Sequence, residues 1–216
     1  MSAPRTPMES DVDTRQRILQ AAAALFARSG FHGTSTRDIA AEVGIRQPSL
    51  FHHFSSKQAM LAELLDRDLG EALERIRRYR ATPGCTAARL HGYLVEDVAA
   101  LSQSTFDARG LYNDEVLDGE HLVEQRNQRR ALHHETRDLV GEGIASGEFR
   151  EIDRVFAQQV ITGMLLDTIW VAGTRPGDDR SNRPAEVADF VLLGLLRNTL
   201  SLPMVRAEAA ALAVEV

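Results

Sequence analysis

The chain has 216 residues, 44% of them apolar and 6% aromatic, with 31 acidic against 25 basic side chains and a formal charge of −6. That length holds one small and one medium domain, and so few aromatic residues suit helical cores better than a β-sandwich. The negative charge argues against indiscriminate binding to nucleic acid, yet it is uneven: residues 1–60 carry +2 and the remainder −8. The basic surplus is N-terminal. Cys85 is the single cysteine, which excludes an intramolecular disulfide and a thiolate metal cluster. The first thirteen residues lack the apolar core of a signal peptide, and no apolar run approaches the ~20 residues of a membrane span. A cytoplasmic protein with no membrane partner is expected.

Residues 1–13 read as a flexible tail. Thr14 can cap a first helix in which Ile18, Ala22, Leu25 and Phe26 recur on one face, and Ser29-Gly30 stops it. Thr34 or Ser35 caps a second helix with Ile39, Ala40 and Val43 on its apolar edge, and Gly44 ends it. Ile45 plugs the turn. Gln47-Pro48-Ser49 opens a third helix with proline in the first turn, where its missing N–H costs nothing. Leu50 and Phe54 point inward, which leaves Gln47, Ser49, His52 and His53 outward. That is the layout of a helix-turn-helix, with a face of short hydrogen-bonding side chains suited to the major groove. Arg46 and Gln47 are long enough to reach base edges, and Ser49 can meet base or phosphate. Lys57, the only lysine of the chain, starts the next helix, where side chain and helix N-terminus together face a phosphate.

From Gly44 to Lys57 the chain reads GIRQPSLFHHFSSK, and in this it resembles the TetR family of transcriptional regulators, whose signature is G-[VI]-x-x-x-x-[LI]-[YF]-[HY]-[HY]-F-x-[SN]-K. The similarity extends upstream through TRQRILQAAAALFARSGFHGTSTRDIA, covering Thr14 to about Leu65 without a gap. It implies an all-α protein: a three-helix, helix-turn-helix DNA-binding domain over residues 14–60, joined to a larger helical ligand-sensing and dimerisation domain over 61–205. Residues 206–216 read as a C-terminal tail. The DNA contacts it implies are Thr34, Ser35, Arg46, Gln47, Ser49, Phe51, His52, His53 and Lys57. Phe51 stands where the family commonly carries tyrosine, so the hydroxyl that reaches a phosphate is missing.

Beyond Ser56 nearly every segment reads as helix: Ser56 to Arg80, Thr86 to Ser104, His121 to Ser146, Asp153 to Gly173 and Pro184 to Ser201. Asn113 to Gly119 reads as a helix-to-loop region and Thr174 to Arg183 as an exposed connector. The last two helices, with VITGMLLDTIWVAG and FVLLGLL, are apolar nearly all round and must be buried all round. A two-fold four-helix bundle of two copies accomplishes that, with Val160, Gly163, Phe190, Val191, Gly194 and Leu195 at the interface. In the TetR-like arrangement a ligand pocket lies inside the C-terminal domain, and its lining candidates here are Tyr93, Asp97, Phe106, Tyr112, Met164, Asp167 and Trp170. Asp167 sits in the most apolar run, where a buried carboxylate needs either a cationic ligand or an arginine.

No catalytic motif is present: there is no P-loop, no G-x-S-x-G and no H-E-x-x-H. His133 and His134 diverge around a helix and His121 is more than three turns away, so no metal site is expected, nor a cofactor. The expected function is a homodimeric transcriptional repressor that binds palindromic operator DNA and is released by a small-molecule inducer. An activator or a ligand-free regulator of the same fold stays open. So does a helical ligand-binding protein or enzyme with an architectural helix-turn-helix.

Overall fold

The computed structural model describes residues 7–103, 110–112, 117, 119–171 and 183–215. Phe106, the side chain of Trp170, and residues 113–116 and 174–182 of the two expected connectors lie outside the described residues. The helices are α1 (Pro7–Gly33), α2 (Thr36–Val43), α3 (Gln47–His53), α4 (Lys57–Ala81), α5 (Thr86–Gln103), α6 (Val123–Ala145), α7 (Arg154–Val171), α8 (Arg183–Leu195) and α9 (Leu202–Glu215). Among the described residues the sole β-type pairing is one antiparallel bridge, Phe149 with Leu196. The all-α architecture expected from the sequence is present.

The chain divides into two compact units, Met1–Asp68 with Ser104–Arg126, and Leu69–Gln103 with Asn127–Val216. Each is taken by itself. In the first, α1, α2 and α3 bury Ile18, Leu19, Ala22, Phe26, Ile39, Val43 and Leu50, the positions that the 3.6-residue period selects. α1 starts at Pro7, so Thr14 lies inside the helix rather than at its cap. Gly30, with φ 74°, breaks the helical run near the expected stop. Ser35 is the N-cap of α2: its hydroxyl accepts from the Asp38 N–H at 3.2 Å while the Asp38 carboxylate accepts from the Ser35 N–H at 2.9 Å, a reciprocal capping box. Gly44 closes α2 in the left-handed conformation, φ 77°, which residues with a Cβ seldom adopt.

In the second unit α5 is the central element, packed against α8, α9 and α7. Tyr79, Leu90, Leu94, Val98, Phe149, Ala188 and Leu192 are among its buried residues. The C-terminal half of α4 is fixed there by ion pairs: buried Arg75 with Asp97, Arg78 with Glu96 at 2.6 Å, and Arg80 with Glu142 at 2.7 Å and with Glu135. α5 starts where Glu148 accepts the N–H groups of Thr86 and Ala87 at 3.1 and 2.8 Å.

Two expectations are corrected at the chain's end. The helix read over Pro184 to Ser201 stops at Leu195, because the Leu195 and Glu148 carbonyls accept from Arg150 and Arg197 across the bridge, at 2.9 and 3.0 Å, and a 3-10 turn capped by Asn198 follows. Of the tail read over 206–216, residues 206–215 are helix: α9 runs through Glu215 because Val205, Ala209 and Leu212 are buried against the same core.

Candidate functional site

The exposed edge of the helix-turn-helix belongs to α3. Its N-cap residue Arg46 makes no side-chain capping bond, and Arg46, Ser49, Phe51 and His52 are exposed while Leu50 is buried. His53 is partly covered. The Gln47 amide donates to the Thr36 hydroxyl at 2.9 Å, so its reach is set by α2. Arg17 donates to the Val43 carbonyl at 2.7 Å, closing the C-terminal end of α2 with a cation where the helix dipole favours one. These bonds fix α2 against its neighbours and leave the α3 edge open.

Two of the nine expected contacts are placed differently. Thr34 is 3% exposed, and its hydroxyl donates to the carbonyls of Gly30 and Leu25 at 2.9 and 3.2 Å. It faces inward because the break at Gly30 frees carbonyls that need a donor. The Lys57 ammonium donates to the carbonyls of Phe31 and Thr34 at 2.5 and 2.6 Å and lies 4.3 Å from the centre of the Phe31 ring. Burial lowers its pKa from the ordinary lysine range. It clamps the turn between α1 and α2 rather than standing free for a phosphate. Ser35, although exposed, is committed to the capping box.

Five of the seven ligand candidates lie among the described residues. Tyr93 is buried, and Asp97 is buried and ion-paired with Arg75. Met164 packs partly buried against the core of the second unit. Tyr112 belongs to the first unit, where its hydroxyl donates to Asp68. Asp167 is exposed, because the 156, 160, 163, 167 spacing places it on the outward face of α7. Its expected burial is not found in the single chain. Phe106 and the Trp170 side chain lie outside the described residues.

The second unit instead contains a cleft of about 710 Å³ between α5, α8 and α9, with Tyr79 at one wall. At its polar end the Asp189 carboxylate accepts from His91 Nε2 at 3.1 Å and from Arg206 at 2.7 Å. Burial would raise the Asp189 pKa, but these hydrogen bonds outweigh it and hold the carboxyl below its ordinary value. Burial lowers His91 despite Asp189, and burial together with Glu96 pushes the Tyr79 phenol up to about 12. The signal for this site was a histidine and an aspartate each flanked by apolar residues; their separation of 98 positions hid the pairing. Among the described residues no group of three or more His, Cys, Asp or Glu could hold a metal ion. Burial pushes the Cys85 thiol up to about 11, which leaves little reactive thiolate.

An apolar face lies open on each of two helices of the same unit. On α7, Phe156 and Val160 are 56% and 43% exposed, and on α8, Phe190 and Leu193 are 67% and 48% exposed. Gly163 and Gly194 carry nothing within 4 Å of where a Cβ would stand. Val191 and Leu195 do not belong to the α8 face: both are buried in the core of their own chain. Their spacing from Phe190 puts them around the other side of α8.

A capped helix, a glycine turn and a second helix with an open polar edge define a DNA-binding regulator of the helix-turn-helix class. Residues 18–64 match the family described as bacterial regulatory proteins, tetR family, and residues 84–172 match the tetracyclin repressor-like C-terminal domain. The chain is 36% identical over 172 residues to the HTH-type transcriptional repressor KstR2 of Rhodococcus jostii, covering 76% of this chain and 80% of that one. Among solved structures it is similar to Mycobacterium smegmatis AmtR, with a TM-score of 0.78 and 28% identity over 97% of each chain. It is also similar to the ketosteroid transcriptional regulator KstR2 of Mycobacterium tuberculosis, with a TM-score of 0.75 and 26% identity over 85% of this chain and 95% of that one. The chain belongs to the TetR family and is a DNA-binding transcriptional repressor of that family. No helix among the described residues is long and apolar enough to cross a membrane.

Proposed function

We propose that the protein acts as a homodimer that holds a palindromic operator with two α3 helices and releases it when a small molecule occupies the second unit. The observation that carries the dimer is the exposure of Phe156 and Val160 on α7 and of Phe190 and Leu193 on α8, each helix with a glycine open to close approach. Solvent exposure of an apolar face is unfavourable at about 25 cal/mol per Å², and a two-fold axis covers it with an identical face. In this reading Arg46, Gln47, Ser49 and His52 meet base edges or phosphates, and Phe51 contributes apolar contact alone. Thr34, Ser35 and Lys57 shape the head instead of touching DNA. Two half-sites about one helical turn apart need two heads held at that spacing, so monomers bind weakly.

The test joins sedimentation with a mobility-shift assay on DNA flanking the protein's own gene. The intact protein should sediment as a dimer and shift that DNA in preference to random sequence. Phe190→Arg should split it into folded monomers and weaken operator binding by at least about a hundredfold. A stable, fully DNA-competent monomer would defeat the dimeric reading. A dimer that ignores its flanking DNA would favour an architectural helix-turn-helix. Release is tested by adding small molecules to the complex: an inducer must prefer the DNA-free state, and tenfold release requires about 1.4 kcal/mol of that preference.

A further inference from the structure

We propose that the cleft between α5, α8 and α9 is a binding site for a lipophilic cation. Its volume of about 710 Å³ falls in the range of small-molecule pockets. The walls are made smooth and apolar by small residues, Gly92, Val95 and Ala99 from α5 and Ala209, Ala210 and Ala213 from α9. Gly92 is required there, since a Cβ would stand 2.5 Å from the Tyr79 ring. The glycine lets that ring lie against α5 and form one wall of the cleft.

The charges of the lining decide the class of ligand. Arg206 and Asp189 neutralise each other, and His91 is driven toward its neutral form by burial. Glu96 is paired with Arg78 at 2.6 Å. Glu186, on α8, has no ion-pair or hydrogen-bond partner among the described residues, and it lines the same cleft. The one unneutralised formal charge is thus a carboxylate at the rim of an apolar trough that also holds an electron-rich aromatic ring. A bulky organic cation answers the charge and the apolar lining together: its apolar body fills the alanine-lined volume, and its charge meets Glu186. A lipophilic anion has no free partner in the cleft, because both guanidinium and imidazole are engaged by Asp189.

This site makes no use of the DNA-reading edge, and its test does not depend on DNA. Tetraphenylphosphonium is titrated into the full-length protein by calorimetry, with tetraphenylborate as the oppositely charged partner of equal shape. One phosphonium per chain should bind, and the borate should bind at least about tenfold more weakly. Ala99→Phe, which fills the trough, should abolish saturable binding. Glu186→Lys, a change at an exposed position that leaves the core untouched, should weaken the phosphonium about three- to tenfold and improve the borate. Glu151→Lys, elsewhere on the exposed surface of the unit, should change neither, and circular dichroism of each variant checks that the helices persist. Absence of saturable phosphonium binding, a preference for the borate, or binding indifferent to both Ala99→Phe and Glu186→Lys would overturn the proposal. Operator release by phosphonium is read separately and bears on the inducer of the repressor alone.

Discussion

Lys57 separates a structural reading of the head from a phosphate-contact reading. The substitution to test is Lys57→Met, which keeps an apolar stem over Phe31 and removes the ammonium. In the structure that ammonium satisfies two carbonyls at 2.5 and 2.6 Å and stacks 4.3 Å from an aromatic centroid. A hydrogen bond to a charged group contributes about 1.5–3 kcal/mol and a half-exposed cation–π contact about 0.5–1 kcal/mol. The Phe31 carbonyl keeps the Thr34 N–H at 3.3 Å, so the loss is less than the full sum. A cost of about 2–4 kcal/mol follows, which for a chain of this length lowers Tm by roughly 5–15 °C. Thermal unfolding by circular dichroism reads it directly. The second readout is the salt dependence of operator binding. A lost phosphate contact reduces the log–log slope by about 0.9, whereas a lost internal clamp leaves the slope as it was and lowers affinity only as the head loosens. An unchanged Tm with a slope reduced by about one would refute the clamp and restore Lys57 to the DNA interface.

Gln47→Ala should relax sequence preference at one position of each half-site at a cost of about 1–3 kcal/mol, and a randomised-site selection with unaltered preferences would show that α3 sits in another register. Removing Arg75 takes away the guanidinium paired with the buried Asp97 carboxylate, so Arg75→Met should destabilise the protein by up to about 3–5 kcal/mol in urea unfolding, while Arg75→Met with Asp97→Leu should recover most of that; equal loss in both would mean that packing, not charge, is at stake. Burial, with Arg129 and Arg137 alongside, lowers the His133 pKa from 6.5 to about 4. The unfolded chain then binds the proton more readily, so stability is fully present above about pH 6.5 and falls as the pH drops toward 4. His133→Phe should flatten that part of the Tm–pH curve, and an identical slope in the variant would remove His133 as its source.

The first three helices were legible because their signals are local. Ser35 and Asp38 are three residues apart, Gly44 follows α2 directly and Pro48 stands in the first turn of α3, so caps and turns could be read without knowing what packs where. The role of Lys57 is not legible in the sequence for the opposite reason: the carbonyls its ammonium meets are 23 and 26 positions upstream, and a lysine at a helix start looks the same whether it meets a phosphate or a carbonyl. In α8 the stretch FVLLGLL is apolar on both sides, so periodicity offered no contrast between Phe190 and Leu193, which face out, and Val191 and Leu195, which face in. The break before α9 had an indirect origin too, since it depends on Glu148 and Arg150 pairing with a segment almost fifty positions away. The cleft was hidden because small residues define it: alanines carry no chemical signal until three helices place them around one space.

The arginines of α4 bear on how the second unit can act. Arg75, Arg77, Arg78 and Arg80 each meet a carboxylate of α5 or α6, but they are not equivalent. The Arg77 and Arg78 side chains are largely exposed, and such pairs contribute about 0–1 kcal/mol and weaken with salt. Arg75 and Asp97 are both buried, and breaking a buried pair costs about 3–5 kcal/mol, an upper figure here because Arg75 also lies 3.4 Å from Glu96. That exceeds the roughly 1.4 kcal/mol of coupling that tenfold control of DNA affinity demands. A ligand that displaces α5 therefore spends less by carrying the C-terminal half of α4 along than by breaking Arg75 from Asp97. The N-terminal half of the same helix begins at Lys57, whose ammonium meets the carbonyls of Phe31 and Thr34, so under the proposed function α4 is the element that an inducer would have to move.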